Sequence, residues 1–154
     1  MKPRLNPFAA APATMQALLD LGAKATESGL EKNLLELVKM RASQINGCAN
    51  CIHMHGKEAM KAGETAERLL LLDAFRESPL YTARERAALA WTEALTRVAE
   101  THGSDEDYQA LQAEFSPEEQ VKLTLMIITI NAWNRFAIGF RFVHPVDQPV
   151  GQAA

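Results

Sequence analysis

Cys48-Ala49-Asn50-Cys51-Ile52-His53-Met54-His55 holds both cysteines of the chain and two of its four histidines. A helix advances about 100° per residue, so Cys51 and His55 fall within about 60° of Cys48 on one face, and His53 points away from it. Two thiols and an imidazole on one turn and a half of helix can pass protons and electrons or bind a metal. The i,i+4 spacing of Cys51 and His55 brings the side chains into contact. An imidazole, which titrates near neutrality, can then take the thiol proton and return it to a leaving oxygen. His55 is therefore the candidate base for Cys51, and His53 reads as a solvated histidine.

Three chemistries stay open on spacing alone. In dithiol redox chemistry one thiolate attacks an oxidant and the second resolves the product as a disulfide. In a zinc site, Cys48, Cys51 and His55 or His53 would supply two or three of four tetrahedral ligands, with His102, His144 or Glu36 completing the set. In a structural role the cysteines are two small buried hydrophobes. Glu36 reads from its helix position as a surface carboxylate near Lys32, Lys39 and Met40, paired with Lys32 at i,i+4. Trp91, Trp133 and the methionines read as core.

The elements that must position these groups are helical. Leu30, Leu34, Leu37, Val38, Arg41 and Ile45 follow the three-and-four spacing of one buried face, and Asn46-Gly47 breaks that helix. A helix restarting after Gly47 would favour thiolate at Cys48 through its unpaired N–H groups and dipole. Thr82-Ala83-Arg84-Glu85 and Ser116-Pro117-Glu118-Glu119 have the spacing of helix starts. The apolar segment that follows, Leu123 to Phe140, predicts a central core helix or a subunit interface. Other helices are expected near 14–29, 64–75 and 104–115. No segment alternates with period two for long enough to argue for a sheet. The expectation is an all-α bundle of about seven helices over residues 14–143, between a proline-rich arm (1–13) and an irregular tail (144–154).

A chain of 154 residues, 47% hydrophobic with a formal net charge of −3, can build one sizeable core. Its charges are mixed along the chain, which gives no footprint for nucleic acid or anionic lipid. Two cysteines this close make a poor secreted disulfide framework. Leu123 to Ile130 is too short to span a bilayer. A cytoplasmic protein is expected, with no membrane or nucleic-acid partner.

Glu36, eleven residues, Cys48-x-x-Cys51, three residues and His55 resemble the signature of the alkyl hydroperoxidase D branch of the carboxymuconolactone decarboxylase superfamily. Ser43 to Cys48, Lys57 to Thr65 and Arg84 to Ala94 resemble that branch too, and the similarity spans about residues 15–143. The resemblance implies an all-helical fold assembling as trimers or hexamers, and a peroxidase needing no metal or organic cofactor. It also implies a peroxide substrate and an external dithiol protein as reductant. Cys51 would be the peroxidatic thiolate, deprotonated through His55 and a relay ending at Glu36, and Cys48 would resolve the sulfenic acid. The best-known members carry a histidine just before the second cysteine, where this chain has Asn50. The decarboxylase branch lacks the cysteine pair, which argues against lactone decarboxylation. The opposing expectations are a zinc-binding or structural protein of the same fold and a cysteine-independent lyase.

Overall fold

The computed structural model describes residues 2–145, which leaves most of the expected tail outside the described residues. Nine α-helices occur among them: α1 (Pro7–Ala10), α2 (Pro12–Thr26), α3 (Lys32–Asn46), α4 (Ala49–Lys61), α5 (Ala66–Leu70), α6 (Ala83–Thr96), α7 (Val98–Thr101), α8 (Asp105–Glu114) and α9 (Pro117–Phe140). A 3-10 turn, Leu72–Ala74, follows α5, and no strand occurs in the described residues. The fold is all-α, as expected. The seven anticipated helices are α2 to α6, α8 and α9, with α1 and α7 as additional single turns.

Local chemistry starts and stops the helices. Thr82 and Ser116 each accept a hydrogen bond from the backbone N–H three residues on, while Glu85 and Glu119 reach back to the cap N–H. These are complete capping boxes, which satisfy two otherwise orphaned donors each. The arm is not extended throughout, because Asn6 Oδ1 accepts from the N–H groups of Phe8 and Ala9 and Pro7 supplies a preset first residue. The Arg4 guanidinium and backbone N–H then bond the carbonyls of Gly139 and Phe140, which ties the arm to the end of α9.

Helix α3 is the axis of the packing, touching α4, α6 and α9. Leu34, Leu35 and Val38 meet Ala88, Leu111, Leu123, Met126 and Ile127 in one core cluster. Leu37 and Met40 meet Leu69, Leu72, Phe75, Tyr81 and Leu89 in another. Arg41, expected on the buried face, is indeed buried, and it is neutralised there by Glu93 and Asp73. Helix α9 is long and apolar enough by composition to cross a membrane. Here it packs against α2, α3, α4, α6 and α8, so its length serves the core.

Acid should loosen the start of α9. Hydrogen bonds from the Ser116 backbone, from Arg84 and from the Ser116 side chain pull the Glu119 carboxyl down to about 2, from an ordinary 4.5. A lowered carboxyl contributes stability that is whole above the ordinary value and is lost as pH falls toward the folded one. Glu119→Gln is therefore expected to flatten the pH dependence of urea midpoints between about 4.5 and 2. A variant whose acid limb matches the parent's would contradict this.

Candidate active site

The elbow between α3 and α4 sets the site. Gly47 closes α3 in the left-handed region (φ 68°), where its N–H bonds the carbonyls of Gln44 and Ser43. No heavy atom lies within 4 Å of a Cβ built there, so glycine is required for its backbone and not for space. The elbow is fastened to α9 by buried amides. Asn46 Nδ2 donates to Asn131 Oδ1 (2.9 Å) and Asn134 Oδ1 (2.8 Å), and Asn134 Nδ2 donates to Ser43 Oγ (3.1 Å). Asn134 is 0% exposed. Asn134→Leu should cost about 2–3 kcal/mol in urea unfolding, because it removes a partner from half-buried Asn46 and from buried Ser43 and puts an apolar side chain among them. A loss below about 1 kcal/mol would show that water replaces the amide.

Cys48 is the N-cap of α4, and its Sγ accepts from the Cys51 N–H at 3.4 Å. The helix thus starts one residue later than expected, which places both sulfurs at its positive end. Cys48 and Cys51 are joined as a disulfide, with Cα atoms 5.3 Å apart, and each residue is 2% exposed. Ala137 and Phe142 pack on them.

Beside the disulfide lies a cavity of about 600 Å³. Its wall is largely apolar, with Phe8 from α1, Met126, Ile130 and Trp133 from α9, and Phe142 beyond α9. Cys51, His55, Asn50 and Lys39 reach the wall, whereas Cys48 and Glu36 do not. Trp133, Met54 and Met126, expected as core alone, thus also line the cavity. Asn50 lines it at the position where the resembled proteins carry a histidine.

His55 is buried one turn beyond Cys51. Its Nδ1 is hydrogen-bonded to Glu58 Oε2 at 3.0 Å and lies 3.3 Å from Glu36 Oε2. The second approach is an ion-pair distance without hydrogen-bond alignment, since Glu36 Oε2 has no aligned donor. An ionised carboxylate only accepts, so Nδ1 carries the hydrogen and Nε2 is the basic nitrogen. Glu36 is not paired with Lys32 as helix position suggested. Its Oε1 accepts from Lys39 Nζ at i,i+3, and the carboxylate is largely buried between Lys39 and His55. Burial raises the Glu36 carboxyl, but the polar approach of the His55 ring and the hydrogen bond and charge of Lys39 outweigh it, and the group sits below its ordinary value.

Sequence reasoning brought Cys48, Cys51, His55 and, through resemblance, Glu36 to this place. It passed over Glu58, whose signal was its position three residues after His55 on one helix. It also left His53 in solvent, whereas that ring is half-buried and stacks on His144 with centroids 4.7 Å apart. A metal would find Glu36, His55 and Glu58 with ligand atoms within 4.8 Å of one another. That set contains no thiolate, and the Lys39 ammonium on the same carboxylate works against a second cation.

Comparison with known proteins agrees with this arrangement. The uncharacterized protein YdfG of Bacillus subtilis (strain 168) is 37% identical over 138 residues, spanning 90% of this chain and 94% of its own. A crystal structure from Agrobacterium tumefaciens, of a protein of unknown function with the suggested name antioxidant defence protein AhpD, is 46% identical. It superposes with a TM-score of 0.92 and covers 95% of this chain and 100% of its own. The debrominase Bmp8 in complex with tribromopyrrole shares 19% identity at a TM-score of 0.81, covering 90% of this chain and 74% of that one, and so shows the fold alone. The model of the carboxymuconolactone decarboxylase family matches residues 12–94, a stretch that holds the elbow, both cysteines, His55 and both carboxylates. With that match and these relatives, the chain belongs to the carboxymuconolactone decarboxylase family, in its alkyl hydroperoxidase D-like branch.

Proposed function

We propose that the protein is a cytoplasmic dithiol peroxidase that reduces organic hydroperoxides without a metal or organic cofactor. The observation that carries the reading is that Cys51, bonded to Cys48, is the one of the two cysteines on the wall of an apolar cavity that also presents His55. In the reduced protein His55 Nε2 takes the Cys51 proton. The thiolate attacks the distal peroxide oxygen, the O–O bond breaks, and the departing alkoxide takes the proton back from the imidazolium. Cys51 is now a sulfenic acid. Cys48 attacks its sulfur, water leaves, and the disulfide forms. An external dithiol protein then reduces it by exchange. Glu36 and Glu58 hold the imidazole ring and balance its charge during the cycle.

The test is consumption of tert-butyl hydroperoxide with dithiothreitol as reductant. Saturable turnover well above that of an equal concentration of free cysteine is expected, and a rate no greater than free cysteine would refute the reading. A double Cys48/Cys51 variant that kept a catalytic activity would favour a lyase of the decarboxylase type. Assembly as a homo-oligomer is part of the proposal. Exposed Val121, Ile128 and Ile138 on the outer side of α9 support it, and a single-chain mass in light scattering would count against it.

A further inference from the structure

Lys39 is a buried lysine, 9% exposed, on the wall of the same cavity as Cys51 and His55. A lysine ammonium has three N–H donors and no acceptor. Among the described residues its recorded hydrogen bond is to Glu36 Oε1, and Glu36 itself stands behind the wall. Up to two N–H groups of a buried cation therefore remain for whatever occupies the cavity, and a buried donor left without an acceptor is costly. The rest of the lining is largely apolar, with Thr26, Glu27, Asn50, His55, Thr129 and Trp133 as its other polar members, and Lys39 is the one lysine or arginine among the described residues that line it.

Resting on the peroxidase reading, we propose that Lys39 is a further catalytic residue, donating a hydrogen bond to the leaving oxygen of the hydroperoxide as the O–O bond breaks. Attack of the Cys51 thiolate forms the S–O bond and pushes the O–O electron pair onto the alkoxide oxygen. Sulfur is oxidised by two electrons and the peroxide is reduced. The proton that completes the alcohol comes from the His55 imidazolium, and Lys39 keeps all its protons. Its work is electrostatic: a cation already in place where negative charge develops, in a cavity whose wall is largely apolar. Through Glu36, which pairs with both side chains, the lysine is held on the same carboxylate as the imidazole.

The experiment uses reduced full-length Cys48→Ser protein, in which a Cys51 sulfenate persists and is trapped with dimedone. Its oxidation by tert-butyl hydroperoxide is compared with its alkylation by iodomethane, which needs the thiolate but has no oxygen for Lys39 to meet. Lys39→Met should slow the peroxide reaction about 100-fold, the scale for losing one such donor, and leave alkylation within about threefold. Lys39→Arg, which keeps charged donors, should recover most of the peroxide rate. Where Lys39→Met is too unstable to assay, Lys39→Leu, which also has no donor, is read by the same ratio, and a selective loss of the peroxide rate is still required. Equal losses in both reactions would overturn the proposal, because Lys39 would then act through Glu36 and His55 on the thiolate. No loss in either would overturn it as well. A parent that is alkylated but yields no sulfenate would refute the peroxidase reading itself, and the role of Lys39 with it.

Discussion

Replacing Cys51 with serine is expected to remove peroxide turnover, with a loss on the order of 10⁴-fold or more, the scale for deleting a catalytic nucleophile. A hydroxyl in that place is not ionised by an imidazole alone and is a poor nucleophile toward oxygen. Replacing Cys48 should have a different signature. Cys51 still faces the cavity and still reacts, so each chain consumes one peroxide and stops at the sulfenic acid. Excess peroxide would then carry that sulfur up the oxidation ladder to the sulfinic acid, a species that the parent avoids by closing the disulfide. Single-turnover stoichiometry with mass spectrometry of the Cys51 peptide separates the two variants. Multiple turnover by either one would contradict the assignment of roles.

His55→Ala is the second large effect. The histidine is buried beside the cavity, and its Nδ1 is committed to carboxylates, so Nε2 is the base available one turn from Cys51. Removing a positioned base costs about 10²–10⁴ in rate. The initial rate of Cys51 oxidation at neutral pH should fall by that range. The deficit should shrink as pH rises through the ordinary thiol value of about 8.5, where bulk hydroxide makes the thiolate unaided. A variant that oxidises at the parent rate at neutral pH would show that the helix start alone activates the sulfur, through the N-terminal N–H groups that Cys48 and Cys51 share.

The helices were legible because their signals are local. The capping boxes at Thr82 and Ser116, the left-handed stop at Gly47 and the apolar run of α9 each act over a few residues, and each appears where expected. The single turn α1 was missed although Asn6-Pro7 carried a cap and a helix-ready proline. Cys51 and His55 share one helix, so period alone placed them together. The partners of Glu36 lie on both sides of the helix break at Gly47, and no periodicity crosses it, so only resemblance connected Glu36 to His55. The Ile-Asn steps at Ile45-Asn46 and Ile130-Asn131 are too short an echo to argue for a repeat. In the fold the two asparagines bond each other, and they fix the elbow that presents Cys48. Lys39 was a neighbour of Glu36 in the helical reading, but its place on the cavity wall depends on how α2, α4 and α9 close around it.

One measurement tests the central claim most directly. Fully reduced protein is mixed with a single equivalent of tert-butyl hydroperoxide in a stopped-flow instrument, free thiols are counted, and the product is mapped by mass spectrometry. The account predicts rapid loss of both thiols and an intramolecular Cys48–Cys51 disulfide identical to the one in this structure. Thiols that stay intact, or a sulfur oxidised without closure of that disulfide, would contradict it.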